Sequence, residues 1–197
     1  MVEVYEHLVE PALLSPGGWI LDVGSGYGEF AQHFAAYGFK VLAVDPHPSI
    51  SAAGQNIFLE RVALVPAHFT GPAEYAICNS GYLYNHVKGL GYDYNVVPFL
   101  VEQGITYVTV PFTTVNALMV KYTIGQFELA KFDCEGCECL LLEQQTAFAK
   151  QLSVEFHTHL GQGEETVQAI RDHLLGLGYR IEGRNERDTL FVIENHN

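Results

Sequence analysis

Four short stretches hold residues whose types and spacing could do chemistry. LDVGSGYG places Asp22, Gly24, Gly26 and Gly28 within eight positions, and KVLAVDP ends in Asp45 and Pro46. KFDCEGCEC carries Lys131, Asp133, Glu135, Glu138 and three of the four cysteines, and VEFH sets Glu155 and His157 two residues apart. Glycines at a strand-to-helix turn let the chain bend tightly and let a ligand approach the backbone, while the helix beyond opens with unpaired N–H groups. A nucleotide-like ligand is implied. Asp133, Glu135 and His157 are of the types that bind a hydroxyl or accept its proton.

Two cofactors compete for the glycine turn. Gly26, Gly28 and Ala31 fit the spacing of a dinucleotide fingerprint, but that register begins far beyond the strand and sets Asp22 against a pyrophosphate of its own charge. S-adenosylmethionine carries an ammonium and a sulfonium and no phosphate, so a carboxylate two residues before the first glycine favours it. Asp45, at the end of the next strand, is placed to accept hydrogen bonds from ribose hydroxyls in either case. S-adenosylmethionine is the preferred reading, ahead of a purely structural turn and of a dinucleotide. No Gly-Lys-Ser or Gly-Lys-Thr follows the glycines, so a Walker phosphate loop is excluded.

These residues need elements to position them. Residues 2–14 read as a short helix stopped by Pro16-Gly17-Gly18. WILDVG is a buried-type strand, GEFAQHFAAYG a helix with Phe30, Phe34 and Tyr37 on one face, and KVLAVDP a second strand, which together make a βαβ unit. ERVALVPA (60–67) reads as the next strand. Residues 69–113 are a variable region of short strands such as AEYAI and GITYVTV separated by loops. TTVNALMVKY reads as a helix capped by Thr113 or Thr114, FELAKFD as a strand, CECLLLEQQTAFA as a helix, and QLSVEFH as a strand. EETVQAIRDHLLGLG is a further helix, and YRIEGR and TLFVIEN form a terminal antiparallel pair. The expectation is a three-layer α/β sandwich in one domain over 1–197.

Composition narrows the function classes. With 10 basic against 23 acidic residues the formal charge is −13, and no cluster of lysine and arginine appears, so neither nucleic acid nor an anionic membrane is an expected partner. The N-terminus lacks the charged start and apolar run of a signal peptide, and no apolar stretch reaches 18 residues. A cytoplasmic protein with reduced cysteines is expected. Cys134, Cys137 and Cys139 would need Cys78 or His157 to complete a zinc site, and they straddle a strand end and a helix start, so buried filler is the preferred reading.

With these motifs in place the chain resembles the class I S-adenosylmethionine-dependent methyltransferases, and within them the FkbM family. LDVGSGYG with Asp45 is shared by many methyltransferases. The more specific features are TTVNAL, with Asn116 where an aspartate is usual, then Lys131, Asp133, Glu135, Gly136 and Glu138, and finally Glu155 and His157. The resemblance implies a Rossmann-like, mostly parallel seven-stranded sheet with an antiparallel edge strand. It also implies O-methylation of a small-molecule or saccharide acceptor. The cofactor contacts expected are Asp22, Gly24, Ser25, Gly26, Tyr27, Gly28, Asp45 and Pro46, and the catalytic residues His157, Asp133 and Glu135, with His157 the first choice of base. No metal is assigned; an ion held by Asp133, Glu135 and His157 is a minor reading. Tyr75, Tyr82, Tyr84, Tyr92, Tyr94 and Phe99 read as an acceptor pocket in preference to a satellite core or a homodimer face. The alternatives are a non-catalytic nucleotide-binding or interaction protein on the same fold, or an N- or C-methyltransferase.

Overall fold

The computed structural model describes residues 1–46, 55–70, 72–78, 83–84, 105–134, 136–157, 163–185 and 188–193. The chain opens with a hairpin of Val2–Val4 (β1) and His7–Val9 (β2), then a 3-10 turn at Pro11–Leu13. Trp19–Val23 (β3), Glu29–Ala36 (α1), Lys40–Val44 (β4) and Ile57–Glu60 (β5) follow. Short strands come next: Ala63–Leu64 (β6), Ala73–Cys78 (β7), Leu83–Tyr84 (β8), Ile105–Val110 (β9) and Phe112–Thr113 (β10). Val115–Tyr122 (α2), Leu129–Phe132 (β11), a 3-10 segment Cys137–Glu143, and Gln151–Glu155 (β12) lead to Gly163–Gly176 (α3), Tyr179–Arg184 (β13) and Asp188–Ile193 (β14).

Seven strands form the central sheet in the order β13-β14-β12-β11-β3-β4-β5. All run parallel except β14, which is antiparallel to both neighbours. The mostly parallel α/β sheet is as expected, but the antiparallel strand lies second from the edge and β13 takes the edge. Period-two alternation divides the apolar residues between two faces. Ile20, Val41, Ala43 and Leu129 pack against Phe30, Ala31 and Phe34 of α1. Leu21, Val23, Leu42, Val44, Ala130 and Phe132 share a second core with Val115 and Leu118 of α2, Leu140 and Leu141, and Ile170 and Leu174 of α3. Helices therefore cover both faces.

Several expected elements are corrected. Residues 2–14 are a hairpin and a 3-10 turn instead of a helix. Tyr5 and Glu6 take the positive φ values (48° and 70°) of a two-residue hairpin turn, and β2 packs on β12 and β14 with all three side chains buried. Tyr37 follows α1 and stands 71% exposed, leaving Phe30 and Phe34 as the buried aromatics of that helix. The third strand of the first half is β5, not 60–67; β6 leaves the sheet to pair with β10. The segment after β11 is a 3-10 helix because Glu138 folds back to accept from the Cys134 and Gly136 N–H groups (3.1 and 3.0 Å) and tightens the turn. The cap of α2 is Thr114, which accepts from the Ala117 N–H at 3.0 Å. In the variable region β7 pairs antiparallel with β8 and β9.

The start of β3 is clamped to β11 by Glu128, which accepts from the Ser15 N–H at 2.9 Å and from Lys150 Nζ at 2.8 and 2.9 Å. Burial alone would raise the Glu128 pKa, but Lys150 and Ser15 outweigh it and hold the carboxyl below its ordinary value. A depressed carboxyl pKa contributes stability above the unfolded-state pKa, and that contribution is lost as pH falls through the folded-state value. Glu128→Gln is therefore expected to cost about 1 kcal/mol at pH 7. The gap to wild type should close on acidification below the ordinary glutamate range, as measured by urea unfolding across pH.

Candidate functional site

The carboxyl ends of β3, β4, β11 and β12 bring the sequence-predicted residues to one edge of the sheet, where doubly wound sheets bind ligands. After β3 the turn runs through positive φ at Gly24 (72°), Gly26 (51°) and Gly28 (84°). A Cβ at Gly24 would lie 1.8 Å from the Asp133 carbonyl oxygen, so only glycine lets this turn close onto the end of β11. A Cβ at Gly26 would meet none of the described residues within 4 Å, so among them that backbone is open to a ligand. Asp45 Oδ2 accepts from the Gly26 N–H at 2.9 Å. The Ser25 hydroxyl is buried with no partner among the described residues. Tyr27 is 76% exposed. Pro46, Val62, Leu64 and Cys137 line a cleft beside Gly24.

Beneath the turn, Asp22 and Lys131 are register partners on adjacent strands and share the face that α1 covers. Both are buried. Lys131 Nζ lies 3.1 Å from Asp22 Oδ1, donates to the Gly24 carbonyl at 2.8 Å, and lies 3.5 Å from Asp133 Oδ2. Burial would lower the lysine pKa; Asp22 and Asp133 outweigh it and raise it. The ammonium thus ties the glycine turn to the candidate acceptor carboxylate. Asp22 is neutralised from below and does not present an open charge.

Around Asp133 the structure gathers more than the expected residues. His157 Nε2 lies 3.6 Å from Asp133 Oδ1 and 3.6 Å from Glu155 Oε1, and its Nδ1 lies 3.0 Å from Oε1 of the fully buried Glu138. On the other side stands His7, which comes from the hairpin. Its Nε2 lies 3.5 Å from Asp133 Oδ2, and its Nδ1 lies 3.6 Å from Oδ1 of the buried Asp188. Asp188 also accepts from Ser153 Oγ at 2.6 Å and the Leu8 N–H at 2.7 Å. Burial would raise the Asp133 pKa, but His7, Lys131 and His157 hold it far below the usual carboxylate range. Burial would lower the His7 pKa, and the Asp133 and Asp188 carboxylates raise it above normal. Glu135 lies outside the described residues, as do His159, Tyr82, Tyr92, Tyr94, Phe99 and the side chains of Tyr75 and Tyr84.

A family model described as the methyltransferase FkbM domain matches residues 22–181. The chain belongs to this family. It is accordingly an S-adenosylmethionine-dependent methyltransferase. No curated protein matches the sequence significantly. Among solved structures, a TehB-like S-adenosylmethionine-dependent methyltransferase from Corynebacterium glutamicum is similar at 11% identity and a TM-score of 0.42, covering 93% of this chain and 84% of that one. The Methanococcus jannaschii fibrillarin pre-rRNA processing protein is similar at 14% identity and a TM-score of 0.46, covering 94% of this chain and 69% of that one.

The glycine turn of this FkbM-family chain suits its cofactor. The approach over Gly26 is open, the orphaned Ser25 hydroxyl offers a hydrogen-bonding group, and Asp45 stands at the rim. The cysteines behave differently from expectation. Cys134 and Cys137 form a disulfide across the turn that follows β11, their Cα atoms 5.4 Å apart, and this corrects the reading of reduced cysteines. Those two sulfurs are thereby removed from any zinc set. Cys139 is a buried thiol outside that disulfide and donates to the Gly136 carbonyl at 3.3 Å.

Sequence reasoning missed His7, Asp188 and the orienting role of Glu138. A usable signal for the first was the alternation of VEV and HLV about the two residues Tyr5 and Glu6. The two glycines of the turn separate folding from binding. Gly26→Ala is expected to cost only about 1–2 kcal/mol, the strain of a left-handed alanine, yet to weaken S-adenosylmethionine binding at least tenfold. Gly24→Ala, which meets backbone, should fail to fold to a native transition. Calorimetric titration and thermal melting of the two variants check both outcomes.

Proposed function

We propose that the methyl acceptor is a hydroxyl oxygen of a small molecule or saccharide, bound against Asp133, with His157 accepting its proton. The observation that supports this best is the fixed orientation of His157. With Nδ1 donating to the buried Glu138, Nε2 is the basic nitrogen, and it is aimed at Asp133 and Glu155. Asp133, held ionised by His7 and Lys131 and 30% exposed, is suited to accept a hydrogen bond from an incoming hydroxyl. Glu135, two residues further along the sequence, is proposed to share in holding that hydroxyl.

S-adenosylmethionine, when bound, supplies an electrophilic methyl group on a sulfonium. The chain's part is to orient the acceptor oxygen and remove its proton: the O–H bond would break with the proton passing to His157 Nε2, and the O–CH3 bond would form as the sulfonium–CH3 bond breaks, its electron pair leaving on sulfur as the thioether of S-adenosylhomocysteine. Gly24, Ser25, Gly26, Tyr27, Gly28, Asp45 and Pro46 are proposed as the cofactor contacts. Asp22 acts through Lys131, which it holds under the turn.

The test is a screen of hydroxylated small molecules and saccharides with methyl-labelled S-adenosylmethionine, the product site being read by mass spectrometry. Transfer to oxygen is expected. His157→Gln should lower kcat on that acceptor by about 10²- to 10⁴-fold with cofactor affinity within twofold of wild type. Methylation on nitrogen or carbon, or an unchanged kcat in the variant, contradicts the proposal.

A further inference from the structure

Beyond the glycine turn the described residues gather groups of metal-ligating type. Among the described residues, Asp22, Asp133, Glu138, Glu155 and Asp188 lie around Lys131, His7 and His157. Asp22, Glu138 and Asp188 are buried and lie behind the others.

The two histidines are held in the same way. Each turns Nδ1 toward a fully buried carboxylate, Asp188 for His7 and Glu138 for His157, and each turns Nε2 toward Asp133. A carboxylate behind the far nitrogen of an imidazole sets its tautomer and orients its near nitrogen, which is the arrangement found behind metal-ligating histidines. Ligand atoms of His7, Asp133 and Glu155 all lie within 4.8 Å of one another. An ion with bonds of about 2.0–2.2 Å holds neighbouring ligands roughly 3–3.5 Å apart and opposite ligands roughly 4.0–4.4 Å apart, so side-chain shifts of up to about an ångström close the set.

We infer that His7, Asp133 and Glu155 bind a divalent first-row transition-metal cation at the mouth of the acceptor site, with His157 beside it. One imidazole with two carboxylates suits Mn²⁺, Fe²⁺, Co²⁺ or Zn²⁺ better than the oxygen-only cages of Ca²⁺ or Mg²⁺. Three protein ligands leave positions open for an acceptor oxygen. An ion there lowers the pKa of a bound hydroxyl, and Nε2 of His157, 3.6 Å from both carboxylates, is placed to take the released proton. Lys131 Nζ lies 3.5 Å from the Asp133 oxygen that faces His7 and competes with the ion for it. The ammonium already has Asp22 and the Gly24 carbonyl as closer partners. The effect on the acceptor rests on the hydroxyl reading above; binding of the ion does not.

The test uses chelator-treated full-length protein without cofactor or acceptor. Titration with Mn²⁺, followed by electron paramagnetic resonance, is expected to show one saturable site per chain. Binding should weaken at least tenfold in Glu155→Gln and in His7→Gln, while Glu143→Gln, away from the cluster, binds as wild type. Because His7 is buried, the second readout needs no variant: pulsed electron paramagnetic resonance of the wild-type Mn²⁺ complex should show coupling to imidazole nitrogen. No saturable Mn²⁺ site, an unchanged affinity in Glu155→Gln, or a bound ion without nitrogen coupling overturns the inference. S-adenosylmethionine affinity, measured on the same metal-free protein, reports separately on the methyltransferase site.

Discussion

The contact on which the site depends is the buried ion pair between Lys131 and Asp22. Side by side on adjacent strands, they put opposite charges where the face of a parallel sheet would otherwise be apolar. Removing one partner of such a pair leaves an uncompensated charge and costs about 3–5 kcal/mol. The lysine also accounts for the geometry above it. Its ammonium holds the Gly24 carbonyl, so the glycine turn cannot lift from β11, and it faces Asp133, so that carboxylate stays ionised at the strand end. One side chain thereby couples the glycine turn to Asp133, two parts of the chain more than 100 residues apart in sequence.

A second layer of constraint comes from carboxylates that solvent does not reach. Glu138 closes the turn after β11 through two backbone N–H groups and at the same time orients His157. Asp188 secures the hairpin through the Leu8 N–H and faces His7. Each carboxylate serves folding and the geometry of the cluster together, and His157 and His7 are the side chains whose partners lie deepest. The N-terminal hairpin is thus part of the candidate site as well as a cover for the sheet.

The glycine turn, Asp45, the βαβ start and the strands ending in Asp133 and Glu155 were legible in the sequence, because apolar runs and glycines are local signals. Lys131 and Asp133 were placed on one strand face by alternation alone. The partners were not legible. That Asp22 meets Lys131 follows from the pairing of β3 with β11, and that His7 reaches Asp133 follows from docking of the hairpin over β12 and β14, both non-local. The helix expected over 2–14 failed for the same reason, since burial of β2 against the sheet outweighs local preference. The Cys134–Cys137 disulfide was set aside on grounds of compartment, although the turn between these residues brings their backbones within bridging distance.

The proposed reaction requires the glycine turn and the Asp133 cluster to form one site, with the reacting methyl group facing Asp133 and His157. A crystal structure with S-adenosylhomocysteine bound tests it most directly. The adenosyl end is expected near Asp45 and Pro46 and the thioether sulfur turned toward Asp133 and His157, with room for one acceptor oxygen between. A sulfur turned away from that cluster, or a cofactor bound away from the glycine turn, would contradict it.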